Sequence, residues 1–179
     1  MKKILIILSL IIITNSYSSE ISLKQENKKD ILPLHYNIPI EKEISKILDL
    51  NTYKLYKRYG SRSVKRYEFI KEKFNQINSK RSTKSEKIVR INKLINRFKK
   101  KETPKFYNFD FFKTVGEGRA SDIDVAIIKK LLLTKLGFDE RSLKVSSVNG
   151  NISLSLTIEK QLVILKSFDN KIEVFKLSK

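Results

Sequence analysis

Cysteine is absent from this chain of 179 residues, and histidine occurs once, at His35. Without cysteine the chain has no disulfides, no thiolate metal sites, no lipid attached to an N-terminal cysteine and no thiol catalysis. A chain of this length forms one domain and buries a sizeable core without cross-links. We therefore expect one domain that is stabilised by packing.

Acidic residues are scarce between Lys54 and Lys101, where 18 basic residues accompany three acidic ones. This stretch carries a net +15 of the formal net charge of +19. Such a run is typical either of a solvated surface or of a binding site for an anionic partner. The predicted partner-binding residues are four of these cations, which recur at helical spacing on one face of a predicted helix: Arg90, Lys93, Arg97 and Lys100.

The N-terminal segment has the pattern of a signal peptide. Two lysines precede an apolar run over residues 4–13, and small serines follow it. The run is shorter than the roughly 20 apolar residues that span a bilayer, although an uncleaved anchor is the alternative. We predict a signal peptide at 1–18, an extended and partly disordered lead-in at 19–39 and one domain over 40–179. The protein is then periplasmic or secreted, with no stable membrane span after cleavage.

Apolar residues recur every three or four positions in the first part of the domain, which predicts helices. The predicted helices are Ile40–Leu50, Tyr53–Tyr59, Val64–Asn78 and one that starts at a capping box of Thr83 and Glu86. The aromatic run Phe106–Phe112 predicts a loop or a short strand. After residue 138 the apolar period changes to two, and an Asn-Gly pair marks a hairpin turn at 149–150. The predicted strands are Leu143–Val148, one from Asn151 onward, Gln161–Phe168 and Ile172–Leu177.

The segment Gly116–Phe138 indicates a flexible loop that leads into a buried helix. Ser121 and Asp124 have the spacing of a capping box, so the helix begins near Asp122. Apolar residues cover most of its circumference, which is typical of a central helix packed on several sides. Helices followed by an antiparallel meander predict an α+β fold.

This helix resembles that of the bacterial transglutaminase-like cysteine proteinases, whose signature is roughly G-D-C-E-D-Y-A-I-x-K and a leucine-rich helix ending in L-G. The matching residues are Asp124–Lys129 and Leu136-Gly137. Further family motifs resemble Tyr59-Gly60, the asparagines of residues 91–96 and Asp110-Phe111-Phe112, so the resemblance extends from Tyr59 to Asn170. It implies a periplasmic, papain-like protein with a helical N-terminal half, a central buried helix and a four-stranded antiparallel sheet.

The resemblance places Asp122 where the family has its catalytic cysteine, Asn151 where it has the histidine and Asp169 where it has the aspartate. Thiol proteolysis needs both a thiolate and a histidine. We therefore predict a divergent member with degenerate catalytic positions, a pseudoenzyme rather than an enzyme. Ser121 is interpreted as a helix cap and His35 as a loop residue, with a pairing of the two as the alternative.

We predict no cofactor and no metal. The calcium site of the family uses acids that flank the cysteine, and Ile123 takes the place of one of them. Calcium prefers six to eight oxygen ligands, so the remaining Asp124 is a poor basis for a site.

Three functions remain open. The first is an exported, catalytically inactive homologue that binds an envelope or surface protein, because family members process surface adhesins and bind a membrane receptor. The second is a basic module for anionic envelope polymers, with nucleic acid a less natural partner after export. The third is a hydrolase with a non-thiol site near Ser121, Asp122 and Asp169.

Overall fold

The α-helices precede the four long strands of the sheet along the chain, as the change of apolar period predicts. The computed structural model describes residues 21–23, 31–33, 40–79, 82–104, 107–148 and 151–177. The predicted signal peptide, His35 and the Asn-Gly turn at 149–150 lie outside the described residues. None of the helices within those ranges is long and apolar enough to cross a membrane.

Six α-helices occur in the described ranges. They are α1 (Ile40–Ile47), α2 (Thr52–Tyr59), α3 (Ser61–Ile77), α4 (Lys84–Ile95), α5 (Phe111–Glu117) and α6 (Asp122–Lys135). A short 3-10 turn, Glu140–Ser142, connects α6 to the first long strand. The predicted capping box at Thr83 and Glu86 is present at the start of α4.

The strands form one sheet of six and a separate short pair. The strands are β1 (Ile21–Leu23), β2 (Ile31–Pro33), β3 (Lys99–Lys100), β4 (Arg119–Ala120), β5 (Leu143–Val148), β6 (Asn151–Ile158), β7 (Gln161–Lys166) and β8 (Ile172–Lys176). The predicted four-stranded antiparallel meander is confirmed as β5–β8. The lead-in adds a strand to each side, because β1 pairs in parallel with β8 and β2 pairs antiparallel with β5.

The core lies around α6, as predicted for a central helix. This helix packs on β5 and β6 and also contacts α1, α4 and α5. Ten of its residues are buried, including Ile123, Ile128 and Leu132. The fold is therefore α+β, with the meander on one side of α6 and the helical half on the other sides.

Three local predictions were wrong. The end of the aromatic run starts α5, because Asp110 caps that helix by accepting a hydrogen bond from the backbone N–H of Lys113 at 2.9 Å. Gly116 lies inside α5, and Gly118 ends it with a φ of 67°, so this segment is a helix and its cap rather than a flexible loop. Lys100 was predicted on the face of a helix, but α4 ends at Ile95 and Lys100 belongs to β3.

Candidate functional site

The start of α6 and one end of the sheet meet at a single place. Ser153 of β6 pairs with Lys166 of β7, so the beginning of β6 and the end of β7 lie side by side. Just after β7, the hydroxyl of Ser167 donates a hydrogen bond of 2.7 Å to the backbone carbonyl of Asp122. We call this region the junction: Asp122 at the start of α6, Asn151 at the start of β6, and residues 167–170 after β7. The three positions predicted to be degenerate catalytic residues all belong to it.

Asp122 presents a carboxylate at the first turn of α6. Its side chain is 29% exposed, and its Oδ2 lies 3.0 Å from the Nζ of Lys100. The ammonium of Lys100 also lies 5.7 Å from the ring centroid of Phe168. The N-terminal end of a helix favours a negative charge, and Lys100 places a positive charge beside the same carboxylate.

Ser121 caps α6, as its spacing predicted. The residue is buried, and its hydroxyl donates to Asp124 Oδ2 at 2.9 Å while accepting from the Asp124 backbone N–H at 3.2 Å. The other carboxylate oxygen of Asp124 accepts a hydrogen bond of 2.9 Å from the Tyr107 hydroxyl. A buried hydroxyl with these bonds stabilises the helix end and is poorly placed to attack a substrate.

Two asparagines of α4 hold the turn that carries Asp169. The side-chain amides of Asn92 and Asn96 donate to the Asp169 carbonyl at 3.1 and 2.6 Å. The Asn96 side-chain oxygen accepts the backbone N–H of Phe168 at 3.1 Å. The carboxylate of Asp169 accepts the backbone N–H of Lys171 at 2.9 Å, which is the usual role of an aspartate in a turn.

Lys129 is a buried amine beside the junction that the sequence reasoning did not single out. The residue has no exposed surface, and its Nζ donates a hydrogen bond of 2.7 Å to the Lys166 carbonyl. Burial lowers the pKa of Lys129 to about 7, while the negative charges of Asp169 and Asp122 act in the opposite direction. The signal was present in the sequence as a lysine between apolar residues on a helix without a polar face.

The predicted partner-binding cations divide into two groups. Arg90 and Lys93 of α4 and the following Arg97 line a groove between α3 and α4. Lys100 does not line this groove, because its ammonium is paired with Asp122 at the junction. The sequence placed all four on one face because it did not predict the end of α4 at Ile95.

Comparison with known proteins gives matches only among solved structures. No protein-family model and no curated protein matches the chain. Legionella pneumophila LapG has a TM-score of 0.57 at 21% identity, over 79% of this chain and 78% of that one. Its EGTA-treated form has a TM-score of 0.54 at 21% identity, over 79% and 75% of the two chains. Its calcium-bound form has a TM-score of 0.53 at 21% identity, over 76% of each chain.

The likeness shows the fold. This chain has a transglutaminase-like fold, as LapG does. The predicted fold class is therefore confirmed, both by the arrangement of α6 against the meander and by the structures that share it.

The prediction that this chain is not an enzyme was wrong. Solved structures that share its fold include those of LapG, which is a cysteine protease. The absence of cysteine excludes only a thiolate nucleophile. Other groups with acid–base chemistry remain at the junction, namely the carboxylate of Asp122 and the buried amine of Lys129.

The acids around the start of α6 do not fit a calcium site of the kind that the calcium-bound LapG structure suggests. Lys101 lies 3.2 Å from a carboxylate oxygen of Glu117 and 3.9 Å from one of Asp124, while Lys100 pairs with Asp122. A calcium ion at this place would therefore compete with the ammonium groups of Lys100 and Lys101 for the same carboxylate oxygens, and the positive charges would repel it. Within the described ranges, no group of three or more histidine, aspartate or glutamate side chains is placed to hold a metal.

Proposed function

We propose that this chain is an exported, divergent relative of LapG that binds an extended segment of an envelope or surface protein at the junction. The observation that carries the proposal is the meeting of the α6 N-terminus with the open end of β6 and β7, fixed by the hydrogen bond between Ser167 and Asp122. LapG acts on a surface adhesin, and the shared fold supports a partner of the same kind.

The junction offers the groups that an extended peptide needs. The Asp122 carboxylate faces solvent in part, and Asn151 is exposed at the start of β6. Peptide N–H groups find an acceptor in the carboxylate, and peptide carbonyls find a donor in the amide of Asn151. The asparagines of α4 fix the neighbouring turn, so the surface is ordered before a partner arrives, which reduces the entropic cost of binding.

A second candidate function is hydrolysis of the bound segment without a thiol. It is favoured by the carboxylate of Asp122, which is partly exposed at a helix N-terminus, the position of a general base toward a bound peptide. In this step Asp122 accepts a proton from a water molecule whose oxygen attacks the peptide carbonyl carbon, and it returns that proton to the leaving amine nitrogen as the C–N bond breaks.

One experiment tests both candidates. A library of short peptides that covers the exported proteins of the source organism is screened for binding to the purified chain, and each mixture is analysed by mass spectrometry for cleavage. We expect Asp122→Asn and Asn151→Ala to weaken binding of the selected peptide by about tenfold or more. Asp139→Asn is the matched control, because Asp139 caps the 3-10 turn that follows the other end of α6.

The outcomes are distinct. Binding that survives both junction substitutions, or falls equally in the Asp139→Asn control, overturns the binding proposal. Cleavage by the wild-type chain that disappears in Asp122→Asn supports hydrolysis. Intact peptide after long incubation with the wild-type chain removes the second candidate and leaves the first.

A further inference from the structure

A groove runs between α3 and α4, with an apolar floor and a basic rim. Its main cavity has a volume of about 260 Å³. A second cavity of about 120 Å³ shares Phe69, Leu94 and Arg97 with the first and extends it toward Gly118. Phe69, Ile77 and Leu94 form the floor, and Lys73, Arg90 and Arg97 stand on the rim together with Lys93. We call this feature the α3–α4 groove.

The rim is positively charged along both helices. The guanidinium of Arg97, just after α4, and the ammonium of Lys73 on α3 lie 5.1 and 5.8 Å from the ring centroid of Phe69, so cations from both sides of the groove lie over the same aromatic residue. Glu72 of α3 is the acidic neighbour of Lys73. Its carboxylate accepts a hydrogen bond of 2.7 Å from the Gln76 side-chain amide and lies 3.7 Å from the ammonium of Lys73. The stretch from Lys54 to Lys101 holds three acids, Glu68, Glu72 and Glu86, against 18 basic residues, so the groove keeps a positive field.

The groove and the junction use opposite faces of α4. At 3.6 residues per turn, Arg90, Lys93 and Leu94 project from one side of this helix. Asn92, which binds the turn at the junction, projects from nearly the opposite side to Arg90 and Leu94. Asn96, which follows the helix, binds the same turn. A ligand in the groove therefore leaves the junction uncovered.

We infer that the α3–α4 groove docks an acidic, amphipathic segment of a protein partner. Apolar side chains of the segment bury the exposed parts of Phe69 and Leu94, and its carboxylates pair with Arg90, Lys93 and Arg97. A polysaccharide would supply the charges and leave the apolar floor unfilled, and a flat bilayer surface does not enter a groove. This inference goes beyond the proposed function, since it concerns a separate surface.

The test uses the full chain and a synthetic probe. The probe is a fluorescein-labelled peptide of glutamate and leucine arranged at helical spacing, with a scrambled peptide of the same composition and polyglutamate as comparisons. Fluorescence anisotropy at low and physiological salt gives the dissociation constants. We expect the amphipathic peptide to bind about tenfold or more tightly than the scrambled one, and to retain part of its affinity at the higher salt because apolar burial is insensitive to screening.

Charge reversal locates the binding. The variant Arg90→Glu/Lys93→Glu/Arg97→Glu should weaken the probe by about tenfold or more. The control Lys135→Glu/Lys144→Glu/Lys176→Glu makes the same change in net charge at exposed positions outside the groove and should bind nearly as the wild type does. If the first variant fails to fold by circular dichroism, glutamine at the same three positions replaces it.

Three results would overturn the inference. Equal loss in both charge variants means that net charge alone attracts the probe. Equal affinity for polyglutamate and the amphipathic peptide means that the groove is a site for anionic polymers. Stronger binding to anionic phospholipid vesicles than to the peptide identifies a membrane surface as the ligand. None of these measurements involves Asp122 or Asn151, so failure here is separate from failure at the junction.

Discussion

At the scale of single residues, Lys129 is the most informative side chain. A lysine without exposed surface is costly to keep charged, and the hydrogen bond of Lys129 to the Lys166 carbonyl compensates only part of the lost hydration. The carboxylates of Asp122 and Asp169 act to keep the proton on. These opposing influences leave the pKa of Lys129 at about 7, close to physiological pH.

Replacing Lys129 should change how stability depends on pH. The pKa of about 7 in the folded chain lies below the ordinary value of 10.5, so the unfolded chain binds more protons between these limits. The free energy of unfolding of the wild type should therefore rise from pH 7 toward pH 10, by up to about 1.4 kcal/mol per pH unit from this group. Lys129→Met should remove that rise, as measured by urea denaturation at several pH values.

The exposed Lys135 on the same helix provides the control. Lys135→Met should keep the pH dependence of the wild type. A Lys129→Met variant whose stability follows the same pH curve as the wild type would show that the buried amine does not titrate in this range.

At the scale of elements, the contact between α2 and α5 depends on a glycine. A Cβ at Gly116 would lie 2.3 to 2.6 Å from three ring atoms of Tyr59. The ring cannot easily move away, because it also packs against Phe112 with centroids 5.9 Å apart. The close approach of these two helices therefore requires the absence of a side chain.

Gly116→Ala should destabilise the fold although alanine is the better helix former. The overlap with Tyr59 should cost about 1 to 3 kcal/mol, against a gain of about 1 kcal/mol from helix propensity. Thermal and urea unfolding measure the difference. In a Tyr59→Leu background the same substitution should cost much less, and an equal cost in both backgrounds would refute the steric explanation.

Most elements were predictable because each carries its own local signal. The capping-box spacing of Ser121 and Asp124 predicted the start of α6, and alternating apolar residues predicted the strands of the meander. The helix α5 was missed because its aromatic residues follow one another without a helical period, and it is fixed by Asp110 and by packing on Tyr59. The strands β1 and β2 were missed because a strand of three residues is too short to show an alternating apolar pattern. Their pairing also depends on partners more than a hundred residues away.

For the candidate site, the sequence supplied candidate positions but not the contacts around them. The resemblance assigned Asp122, Asn151 and Asp169 as degenerate catalytic positions, and that assignment stays a prediction. The register of β6 and β7 shows that the start of β6 lies beside the end of β7. The ion pair of Lys100 with Asp122 was not visible in the sequence, since it depends on where α4 ends and β3 begins. The contacts of Asn92 and Asn96 with the Asp169 turn span more than seventy residues and were equally hidden.

At the scale of the whole molecule, charge opposes compactness. The formal net charge is +19, and most of it lies on α2, α3, α4 and their connections. Mutual repulsion of these cations is weaker in the expanded unfolded chain than in the folded one. Each surface ion pair relieves little of it, because exposed pairs contribute at most about 1 kcal/mol.

The melting temperature should therefore rise with ionic strength. We expect a clear increase between about 10 mM and 150 mM sodium chloride, where the screening length falls from roughly 30 to 8 Å. Differential scanning fluorimetry measures the effect. The variant Lys135→Glu/Lys144→Glu/Lys176→Glu, which carries less net charge, should show a smaller increase, and a melting temperature that falls with salt would contradict this account.

The lead-in strands β1 and β2 protect the meander from pairing with strands of other molecules. By pairing with β8 and with β5, they occupy both flanks of the meander, which would otherwise present rows of open N–H and C=O groups. A protease that trimmed the chain after residue 33 would uncover both flanks at once. The trimmed protein would then be ready to accept strands from a neighbour on either side and to grow by self-association.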